Sequence, residues 1–178
     1  SMAYLLLIAG HETTVGLIGN ALLHLMLNPE QKQLLVQDPS LLRNALEETL
    51  RYDGPVPYTT FRVTTADVAI GDSVIPENSI VQVVLAALNR DPQRFEDPDR
   101  FDIRRKIKQH MAFGHGIHFC VGSHLARLEA QTAVGRFLQA YPDVELGCTP
   151  EDIPWLGTVI RGTRSLPVRL GGGPQAKA

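Results

Sequence analysis

The chain has 178 residues, a formal net charge of −2, and 44% hydrophobic against 20% charged residues. That is the size of one domain or a large piece of one, with the composition of a soluble, packed protein. Near-neutral charge excludes a surface basic enough for a nucleic-acid partner, and two cysteines, Cys120 and Cys148, are too few for a disulfide framework, which points to a reducing cytoplasm.

Residues 2–28 lack proline until "NPE" and are rich in Leu, Ala and Ile, so they read as one long helix, apolar on most sides and buried among other helices. The opening "SMAYLLLIAG" has no basic segment before its apolar run. The run stops at "HETT", well short of the ~18 residues that argue for a membrane span. Neither a signal, an anchor nor a membrane contact is expected. Ser1-Met2 reads as an addition at a start codon, and the chain as part of a longer protein.

A second helix is expected from Pro29 to Asp38, and a third over "LLRNALEETLRY" with Ser40 as its cap. The pattern then changes. "TTFRVTTADVAI" and "SIVQVVLAAL" carry the β-branched enrichment of strands, with "GDSVIPENS" as turn chemistry between them. "NRDPQRFEDPDRFDIRRKIKQH" is dense in charge and proline and reads as an irregular surface loop. A glycine-rich loop leads into a fourth helix at roughly 121–140. Short strands in "DVELG", "TVIRG" and "LPVRL" close the fold, and residues 171–178 read as a disordered tail after one unit spanning 1–170. The expected class is mainly α with a small β subdomain.

Three stretches carry chemistry. In "AGHETT", Gly10 weakens a helix by about 1 kcal/mol relative to Ala, but lets a flat ligand approach the backbone. Thr13 can turn its hydroxyl to the carbonyl of Ala9, and Glu12 adds an ionisable group beside it, a pair suited to passing protons into a buried site. Tight helix packing through small residues accounts for Gly10 and Thr13 equally well. In "EETLR", Glu48 and Arg51 are three apart on one helix face, the spacing of an ion pair that is usually surface decoration. In "FGHGIHFCVG", Cys120 stands just ahead of a helix, where backbone N–H groups and the positive dipole end favour its thiolate. Such a thiolate serves as a nucleophile, a zinc ligand or an axial ligand to haem iron. Zinc would draw on His110, His115, His118 and His124, yet structural zinc usually takes paired cysteines, which are lacking here. A buried, inert cysteine is the plain alternative.

Taken in chain order, "AGHETT", "EETLR" and "FGHGIHFCVG" resemble the three signatures of the cytochrome P450 family, and the resemblance covers the C-terminal half of a family member. It implies the C-terminal portion of the P450 fold, a haem b cofactor, and a bacterial-type monooxygenase of secondary metabolism acting on an apolar small molecule. Cys120 would be the thiolate ligand to iron, with Phe113 and Gly114 of the loop beside it. His118, Arg62 and His110 would bind the haem propionates. Thr13 and Glu12 would be the alcohol–acid pair that supplies protons. Glu48 and Arg51, joined by Arg100 of "PDRFD", would form a buried triad for folding. "GPVPYTT" and "TVIRG" would line the substrate pocket, and the basic residues of "IRRKIKQH" would receive a ferredoxin-type electron donor. Nothing matches the family's N-terminal helices, so the first helix is expected to expose apolar surface and to self-associate or pack on a partner chain. The alternative to an enzyme is a truncated, non-catalytic homologue acting as an oligomer or interaction module.

Overall fold

The computed structural model describes residues 1–106, 109–156 and 159–171. The expected tail falls outside them except for Gly171. The fold is helix-rich, with five helices and three small antiparallel ribbons among the described residues.

Helix α1 runs Met2–Leu27, α2 Pro29–Gln37, α3 Leu42–Asp53, and α5 Ser123–Ala140, with the single turn α4 at Leu85–Leu88. The core lies where α1, α3 and α5 meet. Leu17, Ala21 and Leu25 recur every fourth residue along α1, Leu46 and Leu50 do so along α3, and Ala130, Val134 and Leu138 along α5. Side chains four apart stack on one helix face, so these stripes close on one another. Phe101 and Ile103 of the charged loop plug the same core.

Helix α1 departs from the expected burial. Residues 1–12 are all exposed, and Met2, Tyr4, Leu5, Leu6 and Leu7 each show more than half their surface. The burial begins at Thr14. The expected exposure of an apolar helix face is therefore present, and the expected burial holds only for the second half. By length and composition alone α1 could cross a membrane, since the helix continues well beyond the apolar run that the sequence shows.

Proline at the first turn of α2 costs nothing, because that N–H has no helical partner. Ser40 does not cap α3. Its N–H and hydroxyl both donate to Asp38, at 3.1 and 2.6 Å, which folds 39–41 into a tight turn, and α3 starts at Leu42 without a side-chain cap. Gly54 ends α3. A Cβ there would stand 2.6 Å from the Leu50 carbonyl oxygen. Gly54→Ala is therefore expected to cost about 1–3 kcal/mol in urea unfolding; a change below ~0.5 kcal/mol, the range of ordinary surface substitutions, would contradict this packing.

The ribbons are β1 (Arg62–Val63) with β4 (Ile80–Val81), β2 (Val68–Ile70) with β3 (Ser73–Ile75), and β5 (Glu145–Leu146) with β6 (Val168–Arg169). The turn expected over "GDSVIPENS" is shorter than read. Gly71, at φ +56°, and Asp72 make a two-residue hairpin, and Ser73–Ile75 already belongs to a strand. "SIVQVVLAAL" gives only the two-residue strand β4 before turning into α4. "TVIRG" holds no strand among its described residues; Thr163 just beyond it bridges to Trp155, and Thr158 lies outside the described residues.

Candidate functional site

A cavity of about 950 Å³ opens between α1, the strap after α3, and the loop before α5. Ala9, Thr13 and Leu17 form its α1 wall, again at a spacing of four. Phe113, Gly114, His118 and Cys120 form the opposite wall, and Pro55, Val56, Tyr58 and Phe61 line the side. The volume sits at the upper end of the ~300–1,000 Å³ typical of small-molecule and cofactor sites.

The loop that carries Cys120 is shaped by its own hydrogen bonds. The Cys120 N–H donates to Phe113 O at 2.9 Å, the Gly114 N–H to Met111 O, and the Phe119 N–H to Gly116 O. Gly114 and Gly116 hold φ +73° and +70°, the left-handed region that side chains disfavour. The sulfur is exposed, and a Cβ at Gly122 would reach only to 3.9 Å from it. Cys120 thus presents its thiol to the cavity ahead of the 18-residue α5, at the end whose dipole favours an anion. This donor set fits a haem whose iron takes a thiolate: one reachable sulfur, a largely apolar wall, and a backbone without side chains crowding it.

Thr13 donates its hydroxyl to the Ala9 carbonyl at 2.6 Å. Glu12 precedes it, about 100° round the helix, and lines a second cavity of about 400 Å³ with His11, Val15 and Gly16, which adjoins the first at Val159. Arg62 lies exposed in β1 and is not on the cavity wall, which its neighbour Phe61 reaches. His110 is not free for a ligand. Its ring is buried, with Nε2 3.0 Å from Glu47 Oε2 and Nδ1 accepting the Ala112 N–H. The latter bond leaves the proton on Nε2, so His110 donates to Glu47.

Glu47 is a residue that the sequence reading missed. Its carboxylate also takes a two-pronged bond from Arg127, at 2.5 and 2.8 Å. Burial pushes this carboxyl up, but the hydrogen bonds from Arg127 and His110 and their charges outweigh it and hold the pKa at about 2 rather than 4.5. A depressed carboxylate stabilises the fold above its unfolded pKa and loses that contribution as pH falls through the folded one. The wild type is therefore expected to lose stability between pH 4.5 and about 2, and Glu47→Gln to flatten that part of the profile in denaturation measured against pH. Parallel profiles would contradict the assignment.

The buried ion pair is real, but its third member differs from expectation. Glu48 and Arg51 are both fully buried, joined by bonds of 2.7 and 2.8 Å. Arg105, not Arg100, brings the second guanidinium to Glu48, at 3.1 Å. Arg100 points its side chain outward and contributes only its carbonyl, which accepts from Arg51 and Arg105. One of the basic residues read as a docking surface is thus turned inward; Ile107 and Lys108 of that stretch lie outside the described residues.

The substrate-side segments meet as expected where they are described. Pro55, Val56, Tyr58, Thr59, Thr60 and Val159 face the large cavity. Asn20 and Asp53 tie down the turn beyond Val159: Asn20 Nδ2 donates to Asp53 O and Arg161 O, and Asp53 takes bonds from His24 and Arg161. Burial raises the Asp53 carboxyl, and those two partners more than reverse it, so it stays below the usual carboxylate range. Among the described residues no three His, Cys, Asp or Glu side chains gather into a metal cluster.

The cytochrome P450 family model matches residues 2–153. The chain belongs to the cytochrome P450 family. It is 59% identical over 172 residues to cytochrome P450 107B1 of Saccharopolyspora erythraea, covering 96% of this chain and 42% of that protein. It is 49% identical over 176 residues to the cytochrome P450 monooxygenase PikC of Streptomyces venezuelae, covering 98% and 42%. The solved structure of the tirandamycin C-bound P450 monooxygenase TamI superposes with a TM-score of 0.92 at 53% identity, covering 96% of this chain and 43% of that one. The P450 chain described here thus spans about two fifths of the length of these relatives. Family membership implies a haem cofactor, and Cys120, in the loop that faces the cavity, has the chemistry to ligate it.

Proposed function

We propose that this chain is the haem-bearing C-terminal portion of a bacterial P450 monooxygenase. The reaction is insertion of one oxygen atom from dioxygen into an apolar small molecule, with electrons from a ferredoxin-type protein. The observation that carries this reading is the shared cavity of Cys120, His118 and Thr13. Haem b, when bound, supplies the activation of dioxygen, and thiolate ligation is the form that favours O–O cleavage.

The chain's own residues divide the remaining work. Cys120 would ligate the iron, Phe113 and Gly114 would lie beside the group, and His118 and Arg62 would take its propionates in charge-assisted bonds. His110 has no part in this, being committed to Glu47. Thr13 holds a proton at the cavity through a hydroxyl that can both donate and accept. Glu12, in the adjoining second cavity that shares Val159 with the first, exchanges protons with solvent.

Pro55, Val56, Tyr58, Phe61 and Val159 favour an apolar substrate. A relative 45% identical to the chain is named 6-deoxyerythronolide B hydroxylase, and TamI is described with tirandamycin C, so a secondary metabolite of polyketide type is the substrate class we infer. Arg104 and Lys106 are exposed and fit an acidic ferredoxin by charge. Free thiols at Cys120 and Cys148 suit a cytoplasmic setting.

The test is turnover of the haem-loaded chain with ferredoxin, its reductase, a nicotinamide reductant and isotopically labelled dioxygen, on an apolar macrolactone. One labelled oxygen atom in the product is expected. Intact thiolate ligation without labelled product would favour the second reading, a non-catalytic homologue that self-associates. The exposed apolar side chains of Met2 to Ile8 support that reading.

A further inference from the structure

Arg127 is the one cation that joins α5, α3 and the haem loop among the hydrogen bonds and ring contacts of the described residues. From α5 it sends Nε and Nη2 to the two oxygens of Glu47 on α3. Its guanidinium carbon lies 4.4 Å from the centroid of the Phe113 ring. Phe113 is the residue whose carbonyl accepts the Cys120 N–H, and its ring also lies against Phe119 at 6.5 Å. His110 completes the arrangement by donating to Glu47 and accepting from Ala112, next to Phe113.

We infer that Arg127 is a positioning residue for the Cys120 sulfur, acting through the Phe113 ring and held in place by Glu47 and His110. The inference rests on the haem-thiolate reading above. A planar guanidinium can lie flat on an aromatic face while its edge makes two parallel bonds to a carboxylate. In Arg127 the edge makes the two bonds to Glu47 and the guanidinium carbon stands over the Phe113 ring. Sliding Phe113 along α5 would lose its contact with a guanidinium that the fork holds fixed, and the Phe113 carbonyl fixes where the Cys120 backbone sits. The plain alternative is an exposed, weakly coupled ion pair. The geometry does not match it, because Arg127 and Glu47 side chains are only 23% and 17% exposed and bonded through two atoms each. The Glu47 hydrogen bonds also keep Arg127 firmly protonated; burial opposes this, and the negative charge of Glu47 adds to it.

The test compares the haem-loaded chain with Arg127→Gln and Arg127→Lys. Two quantities are read: the share of the reduced, carbon monoxide-bound form showing the red-shifted, thiolate-type Soret band, and amide hydrogen exchange at Cys120 and Val134. Arg127→Gln is expected to shift the balance from thiolate-ligated to non-thiolate haem by about tenfold, ~1.4 kcal/mol. It should also speed exchange at Cys120 while leaving Val134, in the α5 core, unchanged. Arg127→Lys keeps the charge but loses the fork and the guanidinium over Phe113, so it should fall between. A thiolate band in the unsubstituted chain that both variants retain in full overturns this inference alone. Equal acceleration at Val134 overturns it too, since Arg127 would then be a general structural prop. No thiolate band in the unsubstituted chain overturns both this inference and the haem-thiolate reading beneath it.

Discussion

Replacing Glu48 by Gln is expected to lower the stability of the chain by about 3–5 kcal/mol, the cost of breaking a buried charge pair from one side. Glu48 is fully buried and receives four donors: Nε and Nη2 of Arg51, Nε of Arg105, and the backbone N–H of Asp102. A neutral amide keeps the shape but leaves the fully buried Arg51, and Arg105 beside it, without a counter-charge. Arg51 itself holds three carbonyls of the irregular loop, those of Asn89, Pro98 and Arg100. Asn89 in turn accepts the Met111 N–H ahead of the haem loop. The loss therefore spreads from α3 to the segment that leads to Cys120. Against a typical total of about 5–15 kcal/mol, the variant should populate unfolded chain at moderate denaturant. A midpoint in urea within error of the wild type would show that this network does not hold the fold.

Cys120→Ala is expected to do the opposite: leave the fold intact and remove the haem signature entirely. The sulfur is exposed and carries no hydrogen bond to the protein among the described contacts, so removing it should cost no more than ~0.5 kcal/mol. The loop's shape depends on the backbone bond from Cys120 to Phe113, which alanine retains. Any haem still taken up would have to find another ligand, with His115, His118 and His124 within a few residues. The reduced carbon monoxide complex should then lose all thiolate character. A variant that kept the red-shifted band would remove Cys120 from the iron.

Much of the scaffold was legible because helical spacing repeats. Leu17, Ala21 and Leu25, or Ala130, Val134 and Leu138, announce a buried stripe in the sequence itself. The haem loop was legible because its glycines, histidines and lone cysteine sit in one short run. Burial of α1 holds only from Thr14 onward, because apolar composition says what a surface prefers and not what covers it. Arg105 took the place assigned to Arg100 because both lie in chain without a period. There a turn at Asp97, with φ +43°, and the bond from Arg100 N–H to Asp97 O decide which side chain faces inward. His110 and Glu47 stand 63 residues apart, and no local pattern pairs them. Its commitment to Glu47, and the stack of Arg127 on Phe113, belong to tertiary packing alone.

The most direct measurement is a haemin titration of the unsubstituted chain, followed by the absorption spectrum of the dithionite-reduced, carbon monoxide-bound form. Saturable uptake with a strongly red-shifted Soret band is the predicted result, and it would mean that Cys120 ligates the iron as thiolate within this chain. No saturable uptake, or a Soret band of the histidine-ligated kind, would contradict the account.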